Sequence, residues 1–249
     1  MTITPNKWEL DVQGYLNTCN ITAATPRKQI RDFSAGVNDL GLWNSMVCWP
    51  LRSSQNYGSG TTAFSLGGLG TYNGLLVGGP TWADNGLIAN GSGYVTTGIT
   101  NMFFAGGATP WQLLVCYSSP ALVGGGTLIS RASATLADRV FQIYGSSTFS
   151  AVVRGTDTGT AIAMRGQGKK FVSLSYDGSA CSIDNTAVTI GAATDDGYPL
   201  QFLSRTSGAN VYAADSELVG VIGIHGTASS GTALSSLFKT TLGQGLTIA

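Results

Sequence analysis

The sequence predicts an all-β fold, a sandwich or a barrel, from three features of the chain. Many short apolar stretches follow one another, Gly-rich turns separate them, and Asp177-Gly178 stands between two stretches of alternating apolar and polar residues. Asp-Gly in such a position favours a hairpin, because glycine adopts the positive φ that a tight turn requires. Only 10% of the residues are charged and 35 of the 249 are Gly, which suits a chain with many tight turns.

Candidate strands begin at Met46 and do not alternate with helices, which favours a sandwich or barrel over βαβ units. In the hairpin at 169–190, Val172, Leu174 and Tyr176 fall on one side of the first strand, so we expect them to face the core. The predicted strands are 46–51, 73–77, 86–89, 93–97, 111–117, 127–130, 139–144, 149–153, 170–176, 181–190, 200–204 and 217–224.

A helix is predicted in front of the strands and another behind them. Thr25 can cap the first helix, Pro26 fits its first position, and Gly41 fits its end. Residues 1–24 show no clear period. The division that follows is an N-terminal arm and helix at 1–45 and a β domain at 46–249. The predicted apolar faces are Ile30, Phe33, Val37 and Leu40 in the first helix, and Leu234, Leu237, Phe238 and Leu242 in the closing one.

Composition excludes several classes of function. Thirteen basic and thirteen acidic residues leave no surplus of positive charge, so we expect no nucleic-acid partner. The apolar stretch at 218–224 is too short to span a bilayer, and the first ten residues lack the pattern of a secretory signal, so we expect synthesis in a cytoplasm and no membrane partner. A nearly uncharged surface suggests that a partner covers part of it, either another protein or a second copy of this chain. Cys19, Cys48, Cys116 and Cys181 show no zinc spacing and are predicted to be buried thiols.

No catalytic or metal site is predicted, and we expect no cofactor. His225 is the single histidine and follows an apolar strand at a Gly-rich turn, without a nucleophile motif elsewhere. Asp215 and Glu217 would share one face of a strand, which fits either a glycosidase pair or a polar outer face. Asp195 and Asp196 fit an ordinary turn better than a calcium loop. The Ser-x-x-Lys at 236–239 lacks the companion motifs of the β-lactamases. The tryptophans are either core anchors or a sugar platform.

The order of the β segments resembles a known family. WPL at 49–51 and NGLLVGGPTWADNGLIANGSGYVTT at 73–97 resemble the opening of LamG-like (concanavalin A-like) jelly-roll domains. WQLLVCYSS, TLISRAS, FVSLSYDGSACSIDNTAV and LVGVIGIHGTASSGTALSSLF are similar, in that order, to two further strands, the central hairpin and the final strand with its closing helix. The resemblance covers residues 46–242. It implies a two-sheet antiparallel jelly-roll sandwich, with a short N-terminal and a short C-terminal helix.

The functional hypotheses also draw on this resemblance. Lys169-Lys170 replaces the Trp-His of the family hairpin, and the acidic residues of the sugar-cleaving relatives are missing, so we expect no enzyme. A helix ending in DLGLW before WPL resembles proteins encoded among the virion genes of tailed phages. The first hypothesis is therefore a non-catalytic structural protein of a bacteriophage virion, a head-decoration or tail/fibre-associated component that docks on capsid or tail proteins. The alternatives are a lectin-like module that binds cell-surface glycans and, third, a glycan-cleaving enzyme.

The N-terminal segment is the predicted place of attachment. A single helix of about four turns is marginal alone and depends on packing. If its apolar face lies on the sandwich, Arg27, Lys28 and Arg31 remain to meet an acidic surface, or are merely solvated. Trp8 and Tyr15 precede them and are predicted to be aromatic anchors, since aromatic residues are enriched in interfaces.

Overall fold

The fold is known from a computed structural model of the chain. It describes residues 5–91, 93–99, 109–118, 126–131, 141–145, 149–153, 156–157, 169–188, 199–204, 217–227 and 231–249. In these ranges the chain forms two antiparallel β-sheets and three α-helices, which confirms the predicted two-sheet sandwich. No helix of the described ranges is long and apolar enough to cross a membrane.

The helices are α1 (Lys7–Thr18), α2 (Ala24–Asp39) and α3 (Gly231–Thr240), and Trp43–Ser45 and Ser53–Gln55 form single 3₁₀ turns. Helix α1 corrects the expectation that residues 1–24 have no period. Its buried residues, Val12, Tyr15 and Leu16, do follow helical spacing. Gly14, a poor helix former, lies between Val12 and Tyr15 and weakens the helical signal of the sequence. The backbone N–H of Asn6 donates to Glu9 Oε2 at 2.7 Å and caps its start.

Helix α2 matches the prediction except at its start and at Leu40. It begins at Ala24 rather than after a Thr25 cap, and Pro26 therefore lies at the third helical position, two residues later than predicted. Gly41 ends the helix with φ +72°, as predicted. Leu40, predicted on the apolar face, is instead the C-cap residue and is 45% exposed.

The strands agree with the predicted ones within a few residues, apart from three short additions (β2, β4 and β11) and one predicted strand that is split. They are β1 (Met46–Pro50), β2 (Thr62–Ala63), β3 (Gly74–Val77), β4 (Thr81–Ala83), β5 (Gly86–Ile88), β6 (Tyr94–Thr97), β7 (Trp111–Ser118), β8 (Gly126–Arg131), β9 (Phe141–Gly145), β10 (Phe149–Val153), β11 (Thr156–Asp157), β12 (Lys170–Tyr176), β13 (Cys181–Ile183), β14 (Thr186–Val188), β15 (Gln201–Phe202) and β16 (Glu217–His225).

The first sheet has the order β14-β13-β12-β7-β16-β5-β4, and β1 also pairs with β16. The second sheet has the order β11-β10-β9-β8-β15-β6-β3-β2. All pairs between named strands in both sheets are antiparallel. Some strands that are consecutive in the chain lie in different sheets, as β6 and β7 do. The two sheets bury their facing sides against each other.

The hairpin predicted at 169–190 forms over its described residues, 169–188, with one correction. Asp177 Oδ1 accepts hydrogen bonds from the backbone N–H groups of Ser179 and Ala180, both at 2.8 Å, and Gly178 has φ +105°. The predicted strand 181–190 is split by a second turn at Asp184-Asn185, where both residues have positive φ. Aspartate and asparagine tolerate this backbone region better than most side chains do, so the strand reverses there.

The core lies in two layers. Between the sheets, Val172, Leu174 and Tyr176 are buried in one apolar cluster, as predicted for that side of the hairpin strand. A second cluster lies on the outer face of the first sheet, where the three helices pack. Phe33 of α2 and Phe238 of α3 meet there edge to face, with ring centroids 6.3 Å apart. Strand β1 is buried along its whole length because it lies beneath the helices and above the inner core.

Candidate functional site

The five residues predicted as partner-binding lie on the two N-terminal helices, but they do not form one surface. Trp8 is half-buried and packs edge to face on Trp43, with centroids 6.4 Å apart. Tyr15 is buried, and its hydroxyl donates to the Gln55 carbonyl at 2.7 Å. Tyr15 therefore anchors α1 to the fold and presents no exposed ring to a partner.

The three cations remain together at the surface, and we call them the basic face: Arg27, Lys28 and Arg31. They line one shallow depression with Asp32, which pairs with Lys28. Arg27 donates to the Ile21 carbonyl at 2.7 Å. Arg31 also lines a neighbouring groove with Trp8, so four of the five predicted residues are continuous across the helical layer.

A more polar recess lies on the other side of α1. It is a cleft of about 340 Å³ between α1 and residues 64–73, which we call the α1–loop cleft. The loop is fixed over β1: Leu66 and Cys48 exchange two backbone hydrogen bonds of 2.7 Å. Gly67 has φ +138°, and a Cβ there would lie 2.1 Å from the Met46 carbonyl oxygen. Only glycine permits this close approach, and the approach sets the shape of the cleft.

On the helix side, the main polar group of the cleft is the Asp11 carboxylate. Its Oδ2 accepts hydrogen bonds from Lys7 Nζ at 2.7 Å and from the Trp43 indole at 3.2 Å. Within the described part of the chain its Oδ1 has no donor. The Thr18 hydroxyl lies two turns further along the same wall. The helix therefore offers the cleft a held acceptor and a hydroxyl.

On the loop side, Ser65 and Asn73 are joined by hydrogen bonds. Asn73 Oδ1 accepts from the backbone N–H of Ser65 at 2.9 Å and from its hydroxyl at 3.3 Å. This arrangement leaves the Nδ2 amide of Asn73 without an acceptor among the described residues. Since Oδ1 is held by Ser65, the side chain is oriented and its two amide protons can be donated to a ligand.

Gly14 keeps the helix wall open. It lies in the middle of α1 and is exposed, where glycine destabilises a helix by about 1 kcal/mol relative to alanine. A Cβ at this position would meet nothing within 4 Å. The residue is therefore not required by packing. Its absent side chain leaves space in the cleft.

Aromatic side chains lead from the cleft to the surface. Phe64 lines the cleft and packs edge to face against Tyr57, with ring centroids 6.1 Å apart. Tyr57 is 49% exposed. The tryptophans mostly belong to the core: Trp43, Trp49 and Trp111 are buried. An aromatic platform at the surface is thus provided by a tyrosine and a phenylalanine.

The side chains considered for catalysis or metal binding do not converge in the described ranges. Glu217 pairs with Lys169 at 2.6 Å, and both side chains are largely buried. His225 is the last residue of β16 rather than a turn residue, and partial burial lowers its pKa. No group of three or more His, Cys, Asp or Glu side chains that could hold a metal is found among the described residues. Asp195, Asp196 and Asp215 lie outside those ranges.

The cysteines are buried and form no disulfide, as predicted. Burial raises the pKa of Cys19 to about 12 and that of Cys116 to about 12. Burial also raises the pKa of Cys48 well above its usual range. These groups are therefore neutral thiols in the apolar clusters, with no nucleophilic role indicated.

Sequence reasoning missed the α1–loop cleft altogether. Its two walls come from segments distant in the chain, and none of its polar residues belongs to a motif. One signal was present: Gly14 interrupts a segment whose apolar residues follow helical spacing. A glycine in such a segment indicates either a packing constraint or an open surface. In this chain Gly14 lies at an open surface.

No family model matches this chain, and no curated protein matches it. Solved structures, however, do match this chain. Trypanosoma rangeli sialidase in complex with 2,3-difluorosialic acid is similar with a TM-score of 0.56 and 14% identity, over 88% of this chain and 39% of that one. Botulinum neurotoxin type C, in a structure concerning its interaction with two ganglioside molecules, is similar with a TM-score of 0.51 and 11% identity, over 81% of this chain and 52% of that one.

These likenesses show the fold alone. This chain spans about two fifths of the sialidase and about half of the toxin structure. The matched parts are β-sandwiches, compatible with the concanavalin A-like jelly roll that the motifs resemble.

Proposed function

We propose that this chain is a non-catalytic carbohydrate-binding β-sandwich module and that the α1–loop cleft holds the sugar. The observation that carries the proposal is the pairing of a held acceptor, Asp11 Oδ1, with an oriented donor, Asn73 Nδ2, across one open cleft. Sugar hydroxyls both donate and accept, so they match walls that offer both kinds of group. Tyr57 and Phe64 supply the apolar surface that the C–H face of a sugar ring packs against.

The structural neighbours support this proposal. One neighbour is a sialidase in complex with a sialic acid derivative, and another is a neurotoxin whose interaction with ganglioside is described. Both of these proteins therefore contact a carbohydrate. A shared fold does not transfer a site, so the argument for this chain depends on the cleft itself.

The absence of catalysis is likewise proposed. Glycoside hydrolysis requires two carboxyl groups that flank the bond to be cleaved. Among the described residues that line the cleft, Asp11 is the one carboxylate. Glu217 is held by Lys169 and belongs to a different part of the molecule. The arrangement favours binding over cleavage.

The direct test fills the cleft. Gly14→Leu places a side chain into open space, and leucine is a better helix former than glycine, so the variant is expected to fold at least as stably as the parent. The matched control is Asn17→Leu, which adds the same side chain to the exposed side of α1 outside the cleft. Binding to a printed array of oligosaccharides is measured for all three proteins.

We expect the parent and Asn17→Leu to bind the same sugars and Gly14→Leu to lose them. Sugar binding that survives Gly14→Leu would move the site elsewhere on the molecule. A parent protein that binds no sugar on the array would refute the proposed function.

A second proposal concerns the setting: the chain is a structural component of a bacteriophage virion and docks on other virion proteins. The virion setting is implied by the resemblance of the DLGLW–WPL segment, and the observation that favours docking is the basic face, which lies beside Trp8 on a helical layer fixed to the sandwich. Exposed cations beside a half-buried aromatic residue suit a protein partner with an acidic surface. The two proposals are compatible, since a virion module can also bind a cell-surface glycan.

The test of this second proposal is charge reversal. Lys28→Glu with Arg31→Glu should leave the fold intact, because both side chains are exposed, and should abolish incorporation into particles. Lys7→Glu, an exposed lysine outside the basic face, is the control. Incorporation is measured by mass spectrometry of purified virions. Normal incorporation of the double variant would contradict docking through this face.

A further inference from the structure

The charge of the α1–loop cleft restricts what it can bind. Asp11 is the one charged side chain among the described residues that line it, and no lysine or arginine is among them. Lys7 Nζ contacts Asp11 Oδ2 from outside the cleft, on a side chain that is 68% exposed. The ammonium group is therefore largely in water, while Asp11 lines the cleft.

We propose, on the basis of the carbohydrate-binding function proposed above, that the cleft takes uncharged sugars and rejects sugars that carry a carboxylate or a sulfate. A neutral sugar can donate a hydroxyl hydrogen to Asp11 Oδ1 and accept from Asn73 Nδ2. An anionic group can accept from Asn73, but it brings a second negative charge towards Asp11. The cleft differs in this respect from a site for sialic acid, the acidic sugar whose derivative the neighbouring sialidase holds.

The hydrogen-bond geometry makes the selection directional. Asp11 cannot turn away easily, because Lys7 and the Trp43 indole both hold its Oδ2. Asn73 is held by Ser65 in the orientation that presents its donor. The acceptor and the donor therefore keep their places, and a ligand must supply a donor on the helix side. A carboxylate or sulfate group has none, so an anionic sugar must present one of its hydroxyls to Asp11 while it still carries its negative charge into the cleft.

Two like charges about 4 Å apart weaken binding by roughly fivefold in bulk water and by roughly a thousandfold near a protein surface, and the partial compensation by Lys7 places the effect towards the low end of this range. We therefore expect an anionic sugar to bind about tenfold more weakly than its neutral counterpart. Asp11→Asn removes the charge and keeps an acceptor for the Trp43 indole, so it should bring the two affinities close together. Asp39→Asn makes the same change in net charge at an exposed position outside the cleft and should leave the tenfold ratio unchanged.

The experiment measures binding to an array on which each neutral oligosaccharide has a sialylated or uronate counterpart, with the pair lactose and 3′-sialyllactose included. The inference is supported if the parent binds the neutral member of each pair more tightly, and if Asp11→Asn reduces this affinity ratio while Asp39→Asn does not. Anionic members bound as tightly as neutral ones, with both lost in Gly14→Leu, would overturn it and leave the carbohydrate-binding function standing. An unchanged ratio in Asp11→Asn would also overturn it. Binding of no sugar at all would refute the proposed function itself.

Discussion

Phe33→Ala tests whether the helical layer belongs to the fold. Phe33 is fully buried between α2 and the outer face of the first sheet and packs edge to face on Phe238. Truncating such a residue removes its buried apolar surface and leaves a cavity, which lowers the free energy of unfolding by about 3–5 kcal/mol. The lost aromatic pair accounts for about 0.5–1.5 kcal/mol of this. Since whole domains are stable by about 5–15 kcal/mol, the variant should lose a large fraction of its free energy of unfolding.

The measurement is urea unfolding followed by tryptophan fluorescence and circular dichroism, with thermal melting as a second readout. We expect the melting temperature to fall by roughly 6–20 °C in a chain of this size. Leu40→Ala is the matched control, because Leu40 is in the same sequence pattern but is 45% exposed, and its change should stay within about 0.5 kcal/mol. If Phe33→Ala unfolds like Leu40→Ala, the helices do not share a core with the sandwich, and residues 1–45 are an independent attachment arm.

Four further predictions concern the sheets and the titratable groups. Leu174→Asp should unfold the protein or lower its free energy of unfolding by more than about 4 kcal/mol, because it places an unpaired charge between the sheets. A melting temperature equal to the parent's would mean that Leu174 lies on the outer face of the hairpin. Glu217→Gln should leave the release of reducing sugar from glycans the same as in the parent protein. If the parent cleaves a glycan and the variant does not, the protein is a hydrolase. Cys19 and Cys116 should resist alkylation by iodoacetamide at pH 8 until the protein is unfolded, since burial raises the pKa of each to about 12; rapid labelling of the folded protein would contradict their burial. The backbone N–H groups of Ala180 and Ser179 lower the pKa of Asp177 in the folded protein. The hydrogen bonds to its carboxylate therefore stabilise the fold above the unfolded pKa near 4, and this stabilisation is lost as the pH falls through the lower folded pKa. Asp177→Ala should lose less stability than the parent below about pH 4 in acid titrations, and an acid profile equal to the parent's would refute this.

The sequence predicts the sheets well because their signals are local. Alternation at Val172, Leu174 and Tyr176 and the turn at Asp177 depend on neighbouring residues, and the structure confirms both. The second reversal at Asp184-Asn185 was missed, since a short turn without glycine resembles the polar positions of a strand.

The helical layer and the cleft were harder to predict because they depend on contacts between distant segments. Tyr15 was expected at an interface, but its hydroxyl reaches the Gln55 carbonyl and the ring is buried. The cleft exists only because the loop containing Gly67 is held over β1, next to α1. No period or motif in a single segment indicates such an approach. The basic face was found because its three cations lie within one helix.

The most direct test of the central claim is a nuclear magnetic resonance titration of the ¹⁵N-labelled protein with the neutral oligosaccharide that it binds best on the array. The proposal predicts saturable shifts at the backbone amides of Thr18 and Ser65 and at the side-chain amide of Asn73, the groups that line the α1–loop cleft. The same titration of Gly14→Leu should produce none of them. Shifts confined to other parts of the sandwich, or equal shifts in the two proteins, would contradict the assignment of the cleft as the carbohydrate site.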